Sequence, residues 1–224
     1  MSVILIVQAR GGSSRFPNKV LKKIKNYPMI ILLLKRLKYC KKINHIIVAT
    51  SKHKTSDKLI KVLKKNNFNF FRGSENNVIK RFIDIGRIYN PKYIVRVTGD
   101  CPFVNANLID KYVTYAKKYN YDYVSNVINR SYPKGIDLEI FKFSILKDIY
   151  LTDKSKETKE HVTPKIIKSK KYKKYNFQLT NDYSKYNLSV DYRKDLNFVK
   201  KVYNLYGEFN FSITKLIKIV KQLH

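Results

Sequence analysis

The chain has 224 residues, of which 44% are hydrophobic, so it can bury the core of one α/β domain and is short for two. Cys40 and Cys101 lie far apart without metal-binding spacing, which argues against a disulfide framework and favours a reducing, cytoplasmic compartment. The opening segment lacks a basic region, and the longest apolar run, residues 29–34, is far below the roughly 20 residues that cross a bilayer. We therefore predict neither a signal peptide nor membrane insertion.

The formal net charge of +31 at pH 7 has two explanations. A protein that binds nucleic acid or an anionic membrane would carry such a charge. However, the excess is mainly lysine, spread along the chain with many asparagines, isoleucines and tyrosines, as an A/T-rich coding sequence produces. The chain shows no zinc finger, RNP-type motif or basic heptad region, so we favour compositional drift and predict no specific nucleic-acid partner. A positive field would still attract a triphosphate substrate.

Strand-like and helix-like segments alternate in the first half of the chain. Residues 3–9 form a nearly continuous apolar run, typical of a strand buried on both faces, and a polar loop follows. Further strands are predicted at 45–50, 69–71, 93–97 and 121–125, and helices at 28–40, 55–66, 75–89 and 106–119. This order predicts βαβ units in a Rossmann-like, mostly parallel sheet with helices on both faces. Because ligands bind at the carboxyl ends of such strands, we expect one face to carry the loops after Ala9, Thr50, Phe71 and Val97.

The second half is less regular. Residues 128–146 are predicted to form a small extended insertion around Pro133-Lys134-Gly135. The other predicted elements are a helix at 154–162, a lysine- and tyrosine-rich surface at 168–174, strands at 175–179 and 187–190, and helices at 194–205 and 212–223. The chain shows no internal repeat and no long linker, so we predict that residues 1–224 form a single domain.

The loop after the first predicted strand has the composition of a phosphate-binding loop. Gly11 and Gly12 allow backbone N–H groups to approach an anion closely, and successive N–H groups can form an anion-binding nest. Arg10, Arg15 and Lys19 add three cations. The spacing is neither that of a Walker A loop nor that of a G-x-G-x-x-G loop. The alternative is an ordinary turn with surface cations, but a position directly after a buried strand favours phosphate binding.

Two aspartates follow predicted strands. Asp100 ends the segment Val95-Arg96-Val97-Thr98-Gly99-Asp100, and Asp191 follows the short strand ending at Val190. Mg²⁺ prefers one or two carboxylates together with substrate phosphates and water, so the pair predicts a metal–phosphate site. Each aspartate has a simpler interpretation, as a turn residue or as the cap of the next helix.

Taken together, these segments resemble the cytidylyltransferase family that includes the CMP-Kdo and CMP-sialic acid synthetases, and most closely its SpsF-type branch of spore-coat polysaccharide biosynthesis. The segments that carry the resemblance run in family order along nearly the whole chain: 7–21, 47–50, 72–78, 96–102, 133–139, 159–164 and 189–191. Asn18 stands where the family usually has glycine, and asparagine tolerates left-handed backbone angles. Gln8 and Cys101 match the SpsF-type branch rather than the Kdo enzymes.

The resemblance implies an enzyme that uses Mg²⁺ to join CTP to a sugar, an ulosonic or nonulosonic acid, giving a CMP-sugar and pyrophosphate for surface polysaccharide biosynthesis. The implied nucleotide-binding residues are Ala9, Arg10, Gly11, Gly12, Ser13, Arg15, Lys19, Arg72, Ser74, Thr98, Gly99 and Asp100. Catalysis is assigned to Arg10, Arg15, Lys19 and Asp100. The implied metal ligands are Asp100 and Asp191. The implied acceptor-binding residues are Lys134, Asp137, Glu139, Glu160 and His161, although the last two suit a helix-end ion pair equally well. The family further implies a homodimer in which both subunits use residues 128–146.

Three other functions remain open at this stage. The enzyme could use another nucleoside triphosphate or a phosphorylated acceptor. A glycosyltransferase of the same fold would need a metal-binding D-x-D pair, and the nearest segment is Asp137-Leu138-Glu139. A basic module that binds RNA or membranes without catalysis would account for the charge alone. The sequence does not identify the acceptor.

Overall fold

In the computed structural model, which describes residues 2–206 and 212–223, a seven-stranded sheet is the centre of the fold. In chain order, the strands of the described residues are β1 (Val3–Gln8), β2 (Lys23–Ile24), β3 (Tyr27–Pro28), β4 (His45–Ser51), β5 (Phe70–Gly73), β6 (Tyr93–Thr98), β7 (Tyr123–Ser125), β8 (Glu139–Lys142) and β9 (Lys174–Asn176). The sheet order is β5-β4-β1-β6-β8-β7-β9, and β2 and β3 form a separate hairpin. Strands β5, β4, β1 and β6 are parallel, whereas β8 runs antiparallel to β6 and β7. The predicted α/β fold with a mostly parallel sheet is confirmed.

Helices cover both faces of this sheet. They are α1 (Met29–Leu37), α2 (Asp57–Lys65), α3 (Val78–Tyr89), α4 (Ala106–Lys118), α5 (Phe143–Thr152), α6 (Lys156–His161), α7 (Pro164–Lys168), α8 (Arg193–Tyr206) and α9 (Ile213–Gln222). Strand β1 shows why two layers are needed, because Val3, Leu5 and Val7 belong to one buried core cluster and Ile4 and Ile6 to the other. None of the helices in the described residues is long and apolar enough to span a membrane.

The structure differs most from the predicted elements in residues 128–146. Strand β8 and helix α5, both absent from the prediction, begin in this segment, and β8 lies between β6 and β7 in the sheet. A strand of four residues that starts with a glutamate and ends with a lysine has too little apolar alternation to be recognised. The strand predicted at 187–190 is replaced by a single bridge between Asn187 and Lys134.

Candidate active site

The loop after β1 forms one wall of a cavity of about 290 Å³ at the carboxyl ends of β1 and β6. We call this space the loop cavity. The predicted site residues that line it are Ala9, Arg10, Ser13, Arg15, Lys19, Thr98, Asp100, Glu160, His161 and Asp191. Residues expected to bind the nucleotide, the metal and the acceptor thus share one cavity, as the parallel arrangement of the strands predicts.

The backbone of the loop closes a compact turn. The N–H groups of Ser13 and Asn18 both donate to the carbonyl of Gly11 at 3.1 Å. Asn18 has the left-handed angles φ 55° and ψ 29°, so asparagine serves here where the family usually has glycine. A Cβ atom at Gly11 would lie 1.9 Å from the carbonyl oxygen of Thr55. Glycine is therefore required at this position by close packing against the segment before α2.

A backbone hydrogen bond brings the two predicted metal ligands together. The N–H of Val190 donates to the carbonyl of Asp100 at 2.9 Å, which places Asp191 beside Asp100. The ammonium group of Lys19 lies between the two carboxylates, 2.6 Å from Oδ2 of Asp100 and 3.0 Å from Oδ1 of Asp191. Arg15 Nη2 also donates to Oδ1 of Asp191 at 3.1 Å. Three distant segments of the chain therefore converge on one cluster of charges.

The two aspartates are not helix caps. Asn105 caps α4, because its side-chain oxygen accepts from the N–H of Leu108 at 3.0 Å. At the start of α8, Asp195 folds back and its Oδ2 accepts from the N–H groups of Asp191 and Tyr192. These contacts leave the carboxylate of Asp191 directed toward the loop cavity and argue against a capping role for both aspartates, whereas Asp100 does lie in a turn, as its simpler interpretation expects.

The electrostatics of the cluster favour its ionised forms. Burial lowers the pKa of Lys19, but the carboxylates of Asp100 and Asp191 outweigh this effect, so that its pKa is raised. Burial also raises the pKa of Asp191, and the positive charges of Lys19, Arg15 and Lys134 together bring it below its usual value. The side chains of Lys19 and Asp191 are only 13% and 18% exposed, so solvent screens their attraction weakly.

The donor chemistry of this cluster fits Mg²⁺. Among the described residues, no group of three or more His, Cys, Asp or Glu side chains could hold a metal ion alone. Mg²⁺ does not need such a group, since it binds through one or two carboxylates, substrate phosphates and water. Asp100 and Asp191 already converge on one cation, the ammonium of Lys19, and would supply these carboxylates.

A second cavity, of about 270 Å³, adjoins the loop cavity through the shared lining residues Thr98 and His161. We call it the β8 cavity. It is lined by Arg96, Thr98, Val127, Arg130, Asp137, Glu139, His161, Thr163 and Pro164. Two of the predicted acceptor residues, Asp137 and Glu139, therefore face this space, and His161 faces both cavities.

Glu139 is held by a complete set of partners. It is 5% exposed, and its Oε1 accepts from the hydroxyls of Tyr123 at 2.7 Å and Thr163 at 2.6 Å. Its Oε2 accepts from Arg96, which also donates to the side-chain oxygen of Gln8. Burial, followed by the charge of Glu139, raises the pKa of Tyr123 well above its usual value, so this hydroxyl stays a neutral donor. The wall of the β8 cavity is thereby rigid and charge-balanced.

Asp137 and Lys134, two of the predicted acceptor residues, form ion pairs. Arg130 binds Asp137 through two bonds of 2.5 and 2.8 Å, and this interaction is the first cause of the raised pKa of Arg130. Lys134 lies instead near the carboxylate pair, with its Nζ atom 3.8 Å from Oδ2 of Asp191. Gly135, at φ 94°, makes this approach possible, because a Cβ there would lie 2.4 Å from a backbone nitrogen of the segment before Asp191.

Other predicted nucleotide-binding residues lie outside the loop cavity. Arg72 and Ser74 line a third cavity of about 220 Å³, and Arg72 donates to Asp57 Oδ1 at 2.7 Å. Arg72 and Ser74 therefore do not line the loop cavity, although β5 ends on the same side of the sheet, and their expected contact with the base and ribose stays a prediction. Gly99 acts through packing, since a Cβ at this position would lie 2.9 Å from that of Ala9. Gly12 similarly packs against the side chain of Thr55.

The sequence analysis missed several residues of the loop cavity. They are Gln8, Ser14, Val20, Val78 and Arg81. Gln8 and Ser14 flank the predicted residues and follow from adjacency to the loop. Val78 and Arg81 belong to the start of α3; Val78 ends the segment 72–78 that carries the resemblance, whereas Arg81 lies beyond every predicted motif.

Comparison with known proteins gives the same assignment over nearly the whole chain. The sequence profile described as cytidylyltransferase matches residues 4–223. The chain is 36% identical to an uncharacterized protein of Methanocaldococcus jannaschii, over 97% of this chain and 89% of that protein. It is 30% identical to the spore coat polysaccharide biosynthesis protein SpsF of Bacillus subtilis, over 98% of this chain and 94% of that protein.

The fold agrees with these sequence matches. The structure of a cytidylyltransferase from Leptospira borgpetersenii serovar Hardjo-bovis superposes with a TM-score of 0.94 at 31% identity, covering 99% of this chain and 94% of that chain. The profile, the full-length relatives and the shared fold establish that the chain belongs to the cytidylyltransferase family, in its SpsF-type branch, and is a nucleotidyltransferase.

Proposed function

We propose that the enzyme transfers CMP from CTP to a hydroxyl group of a sugar, an ulosonic or nonulosonic acid, and releases pyrophosphate, in surface polysaccharide biosynthesis. One observation carries this proposal: Asp100 and Asp191 converge with the cationic loop residue Lys19 in a single cavity that adjoins a second, charge-balanced one. The first cavity suits a metal-bound triphosphate, and the second suits the acceptor.

The reaction would take place where the two cavities meet, near Thr98 and His161. The acceptor hydroxyl attacks the α-phosphorus in line and loses its proton to water; the new O–P bond forms as the bond to pyrophosphate breaks. Arg10 and Arg15 line the loop cavity and offset charge on the phosphates. When bound between the aspartates, Mg²⁺ would neutralise phosphate charge and lower the pKa of the attacking hydroxyl.

Lys19 has two roles in this proposal. Without substrate, its ammonium neutralises Asp100 and Asp191, which would otherwise repel each other. Asp100 and Asp191 would also hold the metal ion, and the ammonium of Lys19 would then bind the phosphates as a point charge. The side chain thus keeps the two aspartates in position before a metal arrives.

The charges of the β8 cavity support a polyhydroxylated acceptor with at most one carboxylate. Arg130 uses two of its donors on Asp137, and the remaining N–H groups of its guanidinium can bind a carboxylate. The charge of Arg96 is paired with Glu139, and Arg96 also donates to Gln8. A sugar phosphate, the main alternative, carries more negative charge than a cavity with paired arginines would neutralise.

The decisive experiment measures pyrophosphate release from each of the four nucleoside triphosphates with Mg²⁺ and a panel of acceptors. The panel should contain ulosonic acids, nonulosonic acids and sugar 1-phosphates. We expect release with CTP and a sugar acid. Release with a sugar 1-phosphate only, or with another triphosphate only, would contradict the proposal. Salt-sensitive RNA binding without CTP-dependent heat would instead favour a non-catalytic basic module.

A further inference from the structure

Two arginines are almost completely buried, and only one of them is fully partnered. Arg36 and Arg81 are each 1% exposed. Arg36 donates to the carbonyl of Pro102 and to the hydroxyl of Tyr203. In contrast, Nε and Nη1 of Arg81 have no hydrogen-bond partner, and no carboxylate of the described residues forms an ion pair with it. Burying a cation without a partner is strongly unfavourable, so the position of Arg81 needs an explanation.

Arg81 lies at the wall of the loop cavity. It belongs to the first turn of α3 and lines the cavity together with Val78. Its stem packs against Gly73, where a Cβ would lie 2.6 Å from Cγ of Arg81. Burial, followed by the positive charge of Arg10, lowers its pKa to about 10 against a smaller opposing effect of Glu75, so the guanidinium is still charged at neutral pH.

The other cations of the loop cavity divide into two groups. Lys19 and Arg15 are neutralised by the carboxylate pair. Arg10, like Arg81, has no ion pair among the residues that the structure describes, and the two guanidiniums repel each other. Two repelling cations in one cavity are stabilised when an anion binds between them.

We infer that Arg81 is a further anion-binding residue of this enzyme and that, with Arg10, it binds a phosphate group of the nucleoside triphosphate. The inference rests on the proposed function, because it assumes that the loop cavity receives the triphosphate. A phosphate is favoured over the carboxylate of the acceptor because Arg10 belongs to the loop after β1, whereas the β8 cavity already contains Arg130 for a carboxylate.

The test compares Arg81→Met with a control on the same helix. Arg87→Met removes the same charge from an exposed position of α3. Calorimetry is performed on each variant with CTP, inorganic tripolyphosphate and N-acetylneuraminate. For Arg81→Met we expect CTP and tripolyphosphate to bind about ten- to a hundredfold more weakly, since a hydrogen bond to a charged group is lost. Arg87→Met should bind both as the wild type does.

Thermal unfolding without ligand distinguishes a binding role from a structural one. Arg81→Met should melt at the wild-type temperature or above it, because the variant no longer buries an unpaired cation. Arg36→Met should melt lower, because it leaves the partners of Arg36 unsatisfied. If the Arg81→Met variant melts at as low a temperature as the Arg36→Met variant, the role of Arg81 is purely structural and the inference is wrong.

Two further results would overturn it. One is wild-type affinity of Arg81→Met for tripolyphosphate. The other is a selective loss of N-acetylneuraminate binding, which would assign Arg81 to the acceptor. The proposed function can fail separately: a wild-type enzyme that binds tripolyphosphate but shows no preference for CTP would contradict the nucleotide assignment and leave Arg81 as a phosphate ligand. Wild-type protein that binds neither compound would end both proposals.

Discussion

The two adjoining cavities differ in how their charges are paired. Each arginine of the β8 cavity has a carboxylate partner: Arg96 with Glu139, and Arg130 with Asp137. In the loop cavity, Arg10 and Arg81 have no such partner among the described residues, and only the cluster around Lys19 is balanced. A balanced cavity is stable without a ligand and offers fixed hydrogen-bonding groups. A cavity with excess positive charge is incomplete until an anion binds.

This difference gives substitutions in the two cavities different expected signatures. Removing a charge from the β8 cavity should mainly reduce the stability of the protein. Removing a charge from the loop cavity should mainly reduce binding or turnover. Stability and activity measured on the same variants therefore test whether the comparison is correct.

The largest effect is expected for Asp100→Asn. The substitution removes one of the two proposed metal ligands, and the loss of a metal carboxylate should cost several kcal/mol of transition-state stabilisation, or about a thousandfold in rate. Pyrophosphate release measures the rate, and thermal unfolding should stay close to wild type because Lys19 keeps Asp191 as a partner. A fully active variant would show that Asp100 does not hold the metal.

Glu139→Gln should reduce stability by about 3 kcal/mol, because it leaves the side chain of Arg96, which is only 15% exposed, without its carboxylate. Urea denaturation measures the change. Glu157→Gln is the matched control, since Glu157 forms an exposed ion pair with Lys168 and its loss should be nearly neutral. Equal midpoints for the two variants would mean that the β8 cavity does not depend on its charge balance.

The smallest effect is a pH dependence of stability. The pKa of Asp191 is lowered in the folded protein, so its contribution is fully present above the unfolded value of about 3.9 and is lost as the pH falls through the folded pKa. The difference in unfolding free energy between wild type and Asp191→Asn should therefore be constant from about pH 5 to pH 8 and shrink below about pH 4. A difference in unfolding free energy that grows as the pH falls would contradict the lowered pKa of Asp191.

The sequence predicts the parts of the fold that have long, regular patterns. β1, β4 and β6 are mostly apolar strands, and their parallel order brings the loop residue Lys19 to Asp100. The sequence also predicts that Asp191 lies beside Asp100, because both carboxylates follow predicted strands. The strand expected before Asp191 is, however, only a single bridge. Position along the chain and residue type were sufficient for this part of the site.

Other parts depend on contacts that no local pattern encodes. The sequence pattern does not predict β8, because the strand begins with a charged residue, Glu139. This carboxylate is buried only because other side chains, such as Tyr123, donate hydrogen bonds to it. The sequence pattern predicts that Arg81 is an ordinary polar residue of an amphipathic helix. Only the packing of α3 on β5 shows that its side chain is buried. Arg72 lies at a suitable strand end, yet its side chain donates to Asp57 and lines a cavity separate from the loop cavity.

The backbone hydrogen bond from Val190 to Asp100 has a consequence for the growing polypeptide. Asp191 is separated from Lys19 by 172 positions, so the charge cluster cannot be completed until most of the chain has left the ribosome. At typical rates of synthesis this takes roughly 10–30 s after the phosphate loop emerges. A chain that ends before Asp191 would contain Lys19 and Asp100 without the second proposed metal ligand, so the proposed reaction should begin only when the last third of the polypeptide has docked.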